Sequence, residues 1–405
     1  MRALAAASLV TAPPHPAPLP ATTPPRRVED AVVAWEWETV VYAGARSGWE
    51  GDIDERFPGC TIAPGFVDAH THLPFHGWRD DEFEARLAGR TYRDLHGSGG
   101  IARSARMFDE ASDEEVLAFC RPLLAEMLEH GTTAVELKTG YGLSVDGELR
   151  QARLARRLAE EIPQTATVTL LACHAVPEGR SRQEWVETVA EELVPEAARQ
   201  RLVDAVDVYV EDIAFTANDL RRVAGAAAGA GLPLRVHADQ LGPTGAAEAA
   251  AALGARSADH LNHTGPEGVE ALASRVTVAG LLPGSTLLLR AAPPPVGDLV
   301  AAGAALALAT DFNPGTSPVL SMPEVVALGC ALYGLHPGQA LVAATANPAW
   351  VLGLHDRLGT LVPGSRADLV VLEGLDVRMV PYRLGHNPVV MVVCGGEPVG
   401  RGRIP

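Results

Sequence analysis

Along most of the chain, short apolar runs rich in β-branched residues alternate with longer stretches of helical period. From Pro64 to about Gly353 the runs are FVDAHTH, TTAVELK, TVTLLACH, VDVYVE, LPLRVHAD, SADHL, VTVAGLLP and ALALATDF. Each has strand length and is bounded by turn residues. Between them, segments such as DEEVLAFCRPLLAEMLEHG and TANDLRRVAGAAAGAG repeat apolar positions every three or four residues, as helices packed by one face do. Strict alternation of strand and helix predicts a parallel sheet with helical crossovers. Eight such units predict an α/β fold closed into a (β/α)8 barrel of the TIM type, which typically takes roughly 250 residues.

The pattern changes at both ends. VVAWEWETVVYAG and CTIAP precede the barrel text, and GTLVPGSRADLVVLE and VVMVVCGGEPV follow it. Neither end is long enough to bury a core alone. The two are therefore expected to join into one small composite β-sandwich, with residues 1–63 and 360–405 flanking a barrel at 64–359. Residues 11–25 (TAPPHPAPLPATTPP) are expected to be a loop, because proline fixes φ and lacks the amide donor. The opening MRALAAASLV carries one Arg and only a weakly apolar, Ala-rich run, so a first β-strand is expected there rather than a secretory signal.

Composition and charge narrow the class. Hydrophobic residues make up 47% and charged residues 20%, the balance of a soluble globular protein. A formal net charge of −17 argues against nucleic acid and anionic membranes as partners. No run of about 18 apolar residues is free of Gly, Pro or charge, so no membrane span is expected. The five cysteines (Cys60, Cys120, Cys173, Cys330 and Cys394) contain no CxxC pair. That usage suits a reducing, cytoplasmic compartment.

The candidate chemistry lies at the ends of the predicted strands, where barrel active sites form. His70 and His72 end the first run. Lys138 ends the second, with Tyr141 in the loop beyond it. His174 ends the third, His237 the fifth, His260 the sixth and Asp311 the eighth. Side chains two apart on a strand point to one side, so His70 and His72 can share a cation. A third imidazole from His237 and the Asp311 carboxylate would complete a donor set with room for water. Zinc and iron both accept such ligands, and a bound ion of this kind lowers the pKa of water to about 7.

Plainer readings exist for each piece. An isolated HxH is often ordinary hydrogen-bonded structure, and Asp311 before Phe-Asn-Pro-Gly could cap that turn. Their joint occurrence at strand ends is what selects a metal centre. His15, His76, His96, His130, His263, His336, His355 and His386 lack this context and read as surface or loop residues. Glu211, ending the fourth run, could bridge a second ion. No other residues supply a second ligand set, so a single ion is expected.

PGFVDAHTH, HADQ, SADHL and ATDFNPG together resemble the amidohydrolase superfamily. HTHLPFHGWRDDEFEARLAG, GTTAVELKTGYGL, CHAVP, HADQLGPTGAAEAAAALGARSADHL and ATDFNPGTSPVLSMP are similar, more narrowly, to the imidazolonepropionase family of histidine degradation. This resemblance extends from about residue 30 to the end of the chain. Residues 11–27 depart from the family's pattern by their proline content.

The resemblance implies one Zn²⁺ or iron ion per subunit, held by His70, His72, His237 and Asp311. It implies that Arg79 holds the propanoate of the small-molecule substrate and that Tyr92, Tyr141 and His174 line the pocket. Asn313, Gly315 and Thr316 would contact the ring or the product's glutamate part. His260 would sit beside the attacked carbon, and Asp311, His260 and Gln240 would form the catalytic set. A homodimer is also implied. For Arg79 the plainer alternative is a surface ion pair with Asp80 or Asp81.

Gln240 bears on the reaction. Related ring deaminases carry a His-x-x-Glu motif whose Glu shuttles protons, and an amide side chain cannot give and take a proton at neutral pH. Hydrolytic opening of a cyclic amide is therefore expected over its first rival, deamination of a heterocycle. The second rival is a barrel without catalysis. It is disfavoured because all four expected metal ligands are present.

Overall fold

The computed structural model describes residues 1–96 and 99–401; the side chains of Tyr92, His96 and Arg401 lie outside the description. The chain opens with strands β1 (Arg2–Thr11), β2 (Arg26–Glu36), β3 (Thr39–Ala45) and β4 (Glu55–Pro64). Eight barrel strands follow: β5 (Phe66–Asp68), β6 (Thr132–Lys138), β7 (Thr165–Cys173), β8 (Ala205–Val210), β9 (Leu234–Ala238), β10 (Ser257–His260), β11 (Val278–Leu281) and β12 (Leu306–Leu308). Three more strands end the chain: β13 (Leu369–Glu373), β14 (Val389–Cys394) and β15 (Glu397–Arg401).

β5 to β12 pair in parallel, each with the next in sequence. The barrel closes between its first and last strands. Thr71 bridges Phe312, and His72 N donates to Phe312 O at 2.9 Å. The Asp68 carboxylate accepts from Thr310 N at 3.1 Å and Thr310 Oγ1 at 2.6 Å. These side-chain bonds replace a backbone ladder at the seam. Regular strand therefore stops at Asp68 and Leu308, short of the expected ends. His70, His72 and Asp311 accordingly stand in irregular segments just past the strands, not on them as the sequence suggested.

The crossover helices begin where the sequence supplies caps. Ser112 with Glu115 caps Asp113–Glu129, and Thr216 with Asp219 caps Ala217–Gly229, each a reciprocal capping box. Strand alternation then sorts the residues of β6. Val135 and Leu137 face the helices, while Glu136 and Lys138 face the barrel axis. The barrel interior thus carries Glu136, Lys138, Asp207, Arg235 and Asp259, all buried, where branched apolar residues usually dominate.

The two chain ends build one composite mixed sheet, in the order β15-β14-β13-β4-β1-β2-β3. β1, the Ala-rich opening segment, pairs with β2 antiparallel and with β4 in parallel. The sheet curls until its distant strands meet. Trp35 Nε1 donates to Gly396 O at 2.8 Å, Val40 N donates to Ser365 O at 2.8 Å, and Thr39 bridges Arg366. Leu4, Val33, Trp35, Ile62, Leu369 and Val393 form the enclosed core, drawn from both ends. The Pro-rich loop between β1 and β2 docks on the barrel near the start of β12, where Ala21 N donates to Ala304 O at 3.0 Å and Leu19 N to Asn347 Oδ1 at 2.8 Å. That is the end of the barrel opposite the strand C-termini. Among the described residues, all five cysteines are free and no helix is long and apolar enough to cross a membrane.

Candidate active site

At the C-terminal rim of the barrel, five side chains converge. His70 Nε2 lies 3.0 Å from His237 Nε2. His72 Nε2 lies 3.1 Å and His70 Nε2 3.7 Å from Asp311 Oδ1. A ring nitrogen of His260 falls within 4.8 Å of those of His70 and His237. All five are buried.

The hydrogen bonds behind the imidazoles fix their tautomers. His70 Nδ1 is 2.7 Å from Asp259 Oδ2, and His237 Nδ1 is 3.1 Å from Asp207 Oδ1. A carboxylate only accepts, so both Nδ1 atoms carry a proton, and both Nε2 atoms are turned toward each other into the cluster. Burial pushes the pKa of His70 and His72 well below the usual histidine value, aided by Lys138 and His237, and so keeps both rings neutral. Asp311 Oδ2 is buried without a hydrogen-bond partner among the described residues. The donor set thus fits one divalent cation, with carboxylate–histidine pairs orienting two of its ligands. Glu211 belongs to neither group of candidate ligands.

The backbone is shaped for this arrangement. His260 (φ 80°) and Asp311 (φ 54°) are non-glycine residues in the left-handed region, a conformation that concentrates at functional sites.

A cleft opens beside the cluster. Its walls include His72, Arg79, Tyr141, His174, His237, Gln240, His260, Asp311, Asn313 and Thr316 from the sequence candidates, together with Ile101 and Tyr209. His70 and Gly315 do not line it, and Gly315 lines the neighbouring cavity with Trp78 and Phe83. Tyr92 opens the short helix Tyr92–His96, and its side chain lies outside the described residues.

Arg79 is only 2% exposed, and its Nε and Nη1 have no hydrogen-bond partner among the described residues. The nearest carboxylate, Glu82 Oε2, is 3.6 Å from Nη1. Asp81 is taken by Arg103 at 2.6 Å, so Arg79 is not part of a surface ion pair with it. Arg79 thus sits on the cleft wall as a buried cation, ion-paired with Glu82 and with hydrogen-bonding capacity left on Nε and Nη1. Gly315 makes room for it: a Cβ built there would collide with Arg79 Nη2 and Cζ.

Other wall residues are held by their neighbours. Asn313 Oδ1 accepts from the backbone N–H groups of Gly315 (2.9 Å) and Thr316 (2.7 Å), while its Nδ2 donates to Asp311 O at 2.7 Å. Asn313, not Asp311, therefore ties the turn. The Tyr141 loop hangs from the helix Val145–Glu161. Gln151 Oε1 accepts from Gly140 N and Tyr141 N, and Glu148 Oε1 accepts from Gly142 N and Leu143 N, all at 2.8–3.0 Å. His174 Nδ1 donates to Gly140 O at 3.0 Å. Burial and the neighbouring His72 hold the His174 ring neutral, so its Nε2 is an acceptor.

Beneath the cluster lie charged residues of which the sequence reading singled out Lys138 alone. Lys138 donates to Asp207 at 2.7 Å, and Arg235 pairs with Glu136 and Asp259. The available signal was charge at alternate positions inside otherwise apolar strands: Glu136 and Lys138 on β6, Asp207 on β8, Arg235 on β9, Asp259 on β10.

These features match those of known proteins. Residues 61–399 fit the model of the amidohydrolase family. An imidazolonepropionase of Rubrobacter xylanophilus is 46% identical over 349 residues, 84% of each chain. One from Rhizorhabdus wittichii is 41% identical over 369 residues, covering 89% of this chain and 92% of its own. The chain belongs to the amidohydrolase family and, within it, to the imidazolonepropionases. Solved structures share the fold at low identity. The guanine deaminase of E. coli superposes with TM-score 0.73 at 16% identity over the whole of both chains. A zinc-bound adenosine deaminase of Xanthomonas campestris gives 0.69 at 19% identity over 98% of this chain and 92% of its own.

Proposed function

We propose that the protein hydrolyses the ring amide of 4-imidazolone-5-propanoate to N-formimidoyl-L-glutamate, using one zinc or iron ion held by His70, His72, His237 and Asp311. The observation that carries this reading is the buried Arg79, with hydrogen-bonding capacity left on Nε and Nη1 among the described residues, on the same cleft as the ligand cluster. It suits a small substrate with a carboxylate at one end and a hydrolysable ring at the other.

When bound, the ion supplies a nucleophilic water at neutral pH and polarises the carbonyl. The chain's own groups do the rest. Arg79 Nε and Nη1 grip the propanoate through two charge-assisted hydrogen bonds. Tyr141, His174 and Thr316 hold the ring, with Gly315 keeping space for the guanidinium and Asn313 fixing the turn; Tyr92 joins this set through the family resemblance alone. Asp311 Oδ2, whose carboxyl burial lifts above the usual range, or the neutral His260 ring, which burial lowers to a pKa of about 3, takes the water's proton. That proton then passes to the leaving ring nitrogen. An N–H of His260 stabilises the developing oxyanion, a contribution of about 3–4 kcal/mol for one such donor. Gln240 contacts the substrate as a hydrogen-bonding amide, without shuttling protons. Its amide is what disfavours ring deamination, the activity named for the structural neighbours.

The reading carries with it a homodimer in the cytoplasm, as in similar enzymes. A native mass measurement reads the association state. The central test follows imidazolone absorbance with metal-replete protein. No turnover overturns the substrate assignment.

A further inference from the structure

The buried charges beneath the ligands form a single connected figure with one residue at its centre. Glu136 Oε2 lies 2.8 Å from Lys138 Nζ, and Glu136 Oε1 contacts Arg235 Nη1. Each cation then reaches a different carboxylate. Lys138 Nζ donates to Asp207 Oδ2 at 2.7 Å, and Arg235 Nη2 lies 3.4 Å from Asp259 Oδ2. Each carboxylate holds a different imidazole: Asp207 holds His237 Nδ1 and Asp259 holds His70 Nδ1. None of these charged side chains is more than 3% exposed.

We propose that Glu136 is a positioning residue for the metal centre, setting the orientation of His237 through Lys138 and Asp207 and that of His70 through Arg235 and Asp259. Glu136 touches neither substrate nor the candidate ligands. Among the described residues it is the one carboxylate that meets both cations, beside Asp207 on Lys138 and beside Ser257 Oγ and Ala69 O on Arg235, and so links the two carboxylate–histidine pairs. Thr169 Oγ1 donates to the same Glu136 oxygen that meets Arg235, which fixes the hub against the neighbouring strand. The inference concerns this chain's ligand geometry and rests on the metal reading above. Outer-sphere partners of this type typically change metal affinity 10- to 100-fold.

The test titrates the metal-stripped full chain with Zn²⁺ alone against a chromophoric chelator, with a thermal melt of each stripped variant. Stoichiometric binding by the unsubstituted chain is expected; its absence overturns both the metal reading and the hub. Glu136→Gln keeps the size of the side chain and removes its charge. It should raise the Zn²⁺ dissociation constant by roughly 10- to 100-fold. In an Asp207→Asn background the same substitution should cost less, because one of its two routes is already cut. A residue that only supports the fold would lower the melting temperature and leave the dissociation constant alone. Should Glu136→Gln fail to fold, Glu136→Gln/Lys138→Met removes one anion and one cation together and keeps the net charge. This variant should still bind Zn²⁺ more weakly, since Asp207 has lost its clamp. Unchanged affinity in a folded variant, or full additivity with Asp207→Asn, overturns the hub while leaving the metal reading intact.

Discussion

Gly315→Ala is the most informative single change outside the ligand cluster. The new methyl would occupy the position of the Arg79 guanidinium, meeting Nη2, Cζ and Nε together. Gly315 does not have a positive φ, so alanine is tolerated by the backbone and the burden falls on Arg79. That side chain is buried, and the same turn is stiffened by Asn313, so the guanidinium must move by an ångström or more. A displacement of about 1 Å at a positioning group costs on the order of 100-fold in rate. Removing the guanidinium outright, in Arg79→Ala, deletes two charge-assisted hydrogen bonds of about 1.5–3 kcal/mol each, or roughly 10²- to 10⁴-fold in kcat/KM. The effects should not add. With Arg79 gone the methyl has room, so Arg79→Ala/Gly315→Ala should be no worse than Arg79→Ala alone, a coupling that a double-mutant cycle measures. The assay is steady-state loss of imidazolone absorbance, with metal content as control; both variants should retain their ion. An unchanged KM in Arg79→Ala, or additive effects in the double variant, would refute the carboxylate role.

Three further outcomes are expected. His237→Ala should abolish both activity and metal content, which elemental analysis reads; retention of a full ion would remove His237 from the ligand set. Stripping the ion with a chelator should lower stability by about 4 kcal/mol relative to protein held at a thousandfold excess of metal over Kd, measured by denaturant unfolding, and an unchanged midpoint would argue against a resident cation. Burial lifts the Glu211 carboxyl to about 7, above the unfolded value of about 4.3. The folded state therefore favours its protonated form, and this contribution is complete below about pH 4 and lost as pH rises through about 7. Glu211→Gln keeps an acceptor for Leu241 N and should flatten that part of the stability profile, while a profile of unchanged slope would show that Glu211 does not titrate there.

The fold was legible because its signals repeat. The apolar run TTAVELK became β6 from Thr132 to Lys138 without adjustment, and the helical-period segments DEEVLAFCRPLLAEMLEHG and TANDLRRVAGAAAGAG became the helices Asp113–Glu129 and Ala217–Gly229. The strand ends at the seam were misjudged for a physical reason. Asp68 and Thr310 close the barrel through side-chain bonds, and a hydrophobic pattern cannot distinguish a ladder from an irregular segment held that way. The cluster was legible because barrel geometry turns distant strand ends into neighbours. His70, His72, His237, His260 and Asp311 needed only that topology to meet. What Gly315 does could not be read, since its meaning lies in a guanidinium that arrives from another loop.

The inward charges were hidden for a deeper reason. Read one strand at a time, Glu136 or Arg235 looks like an interruption, because an unpaired buried charge is strongly unfavourable. Only together do they make sense, and even then the balance is incomplete. Three carboxyls, Glu136, Asp207 and Asp259, face the two cations Lys138 and Arg235, and Asp311 stands in the cluster above. Burial keeps His70, His72 and His260 neutral and lifts the Asp259 and Asp311 carboxyls above the usual range. A divalent cation among these groups would favour the ionised carboxylates and relieve that cost. The ion is then a member of the core's charge balance as well as a reagent, so the same residues that support catalysis decide whether the interior is electrostatically complete.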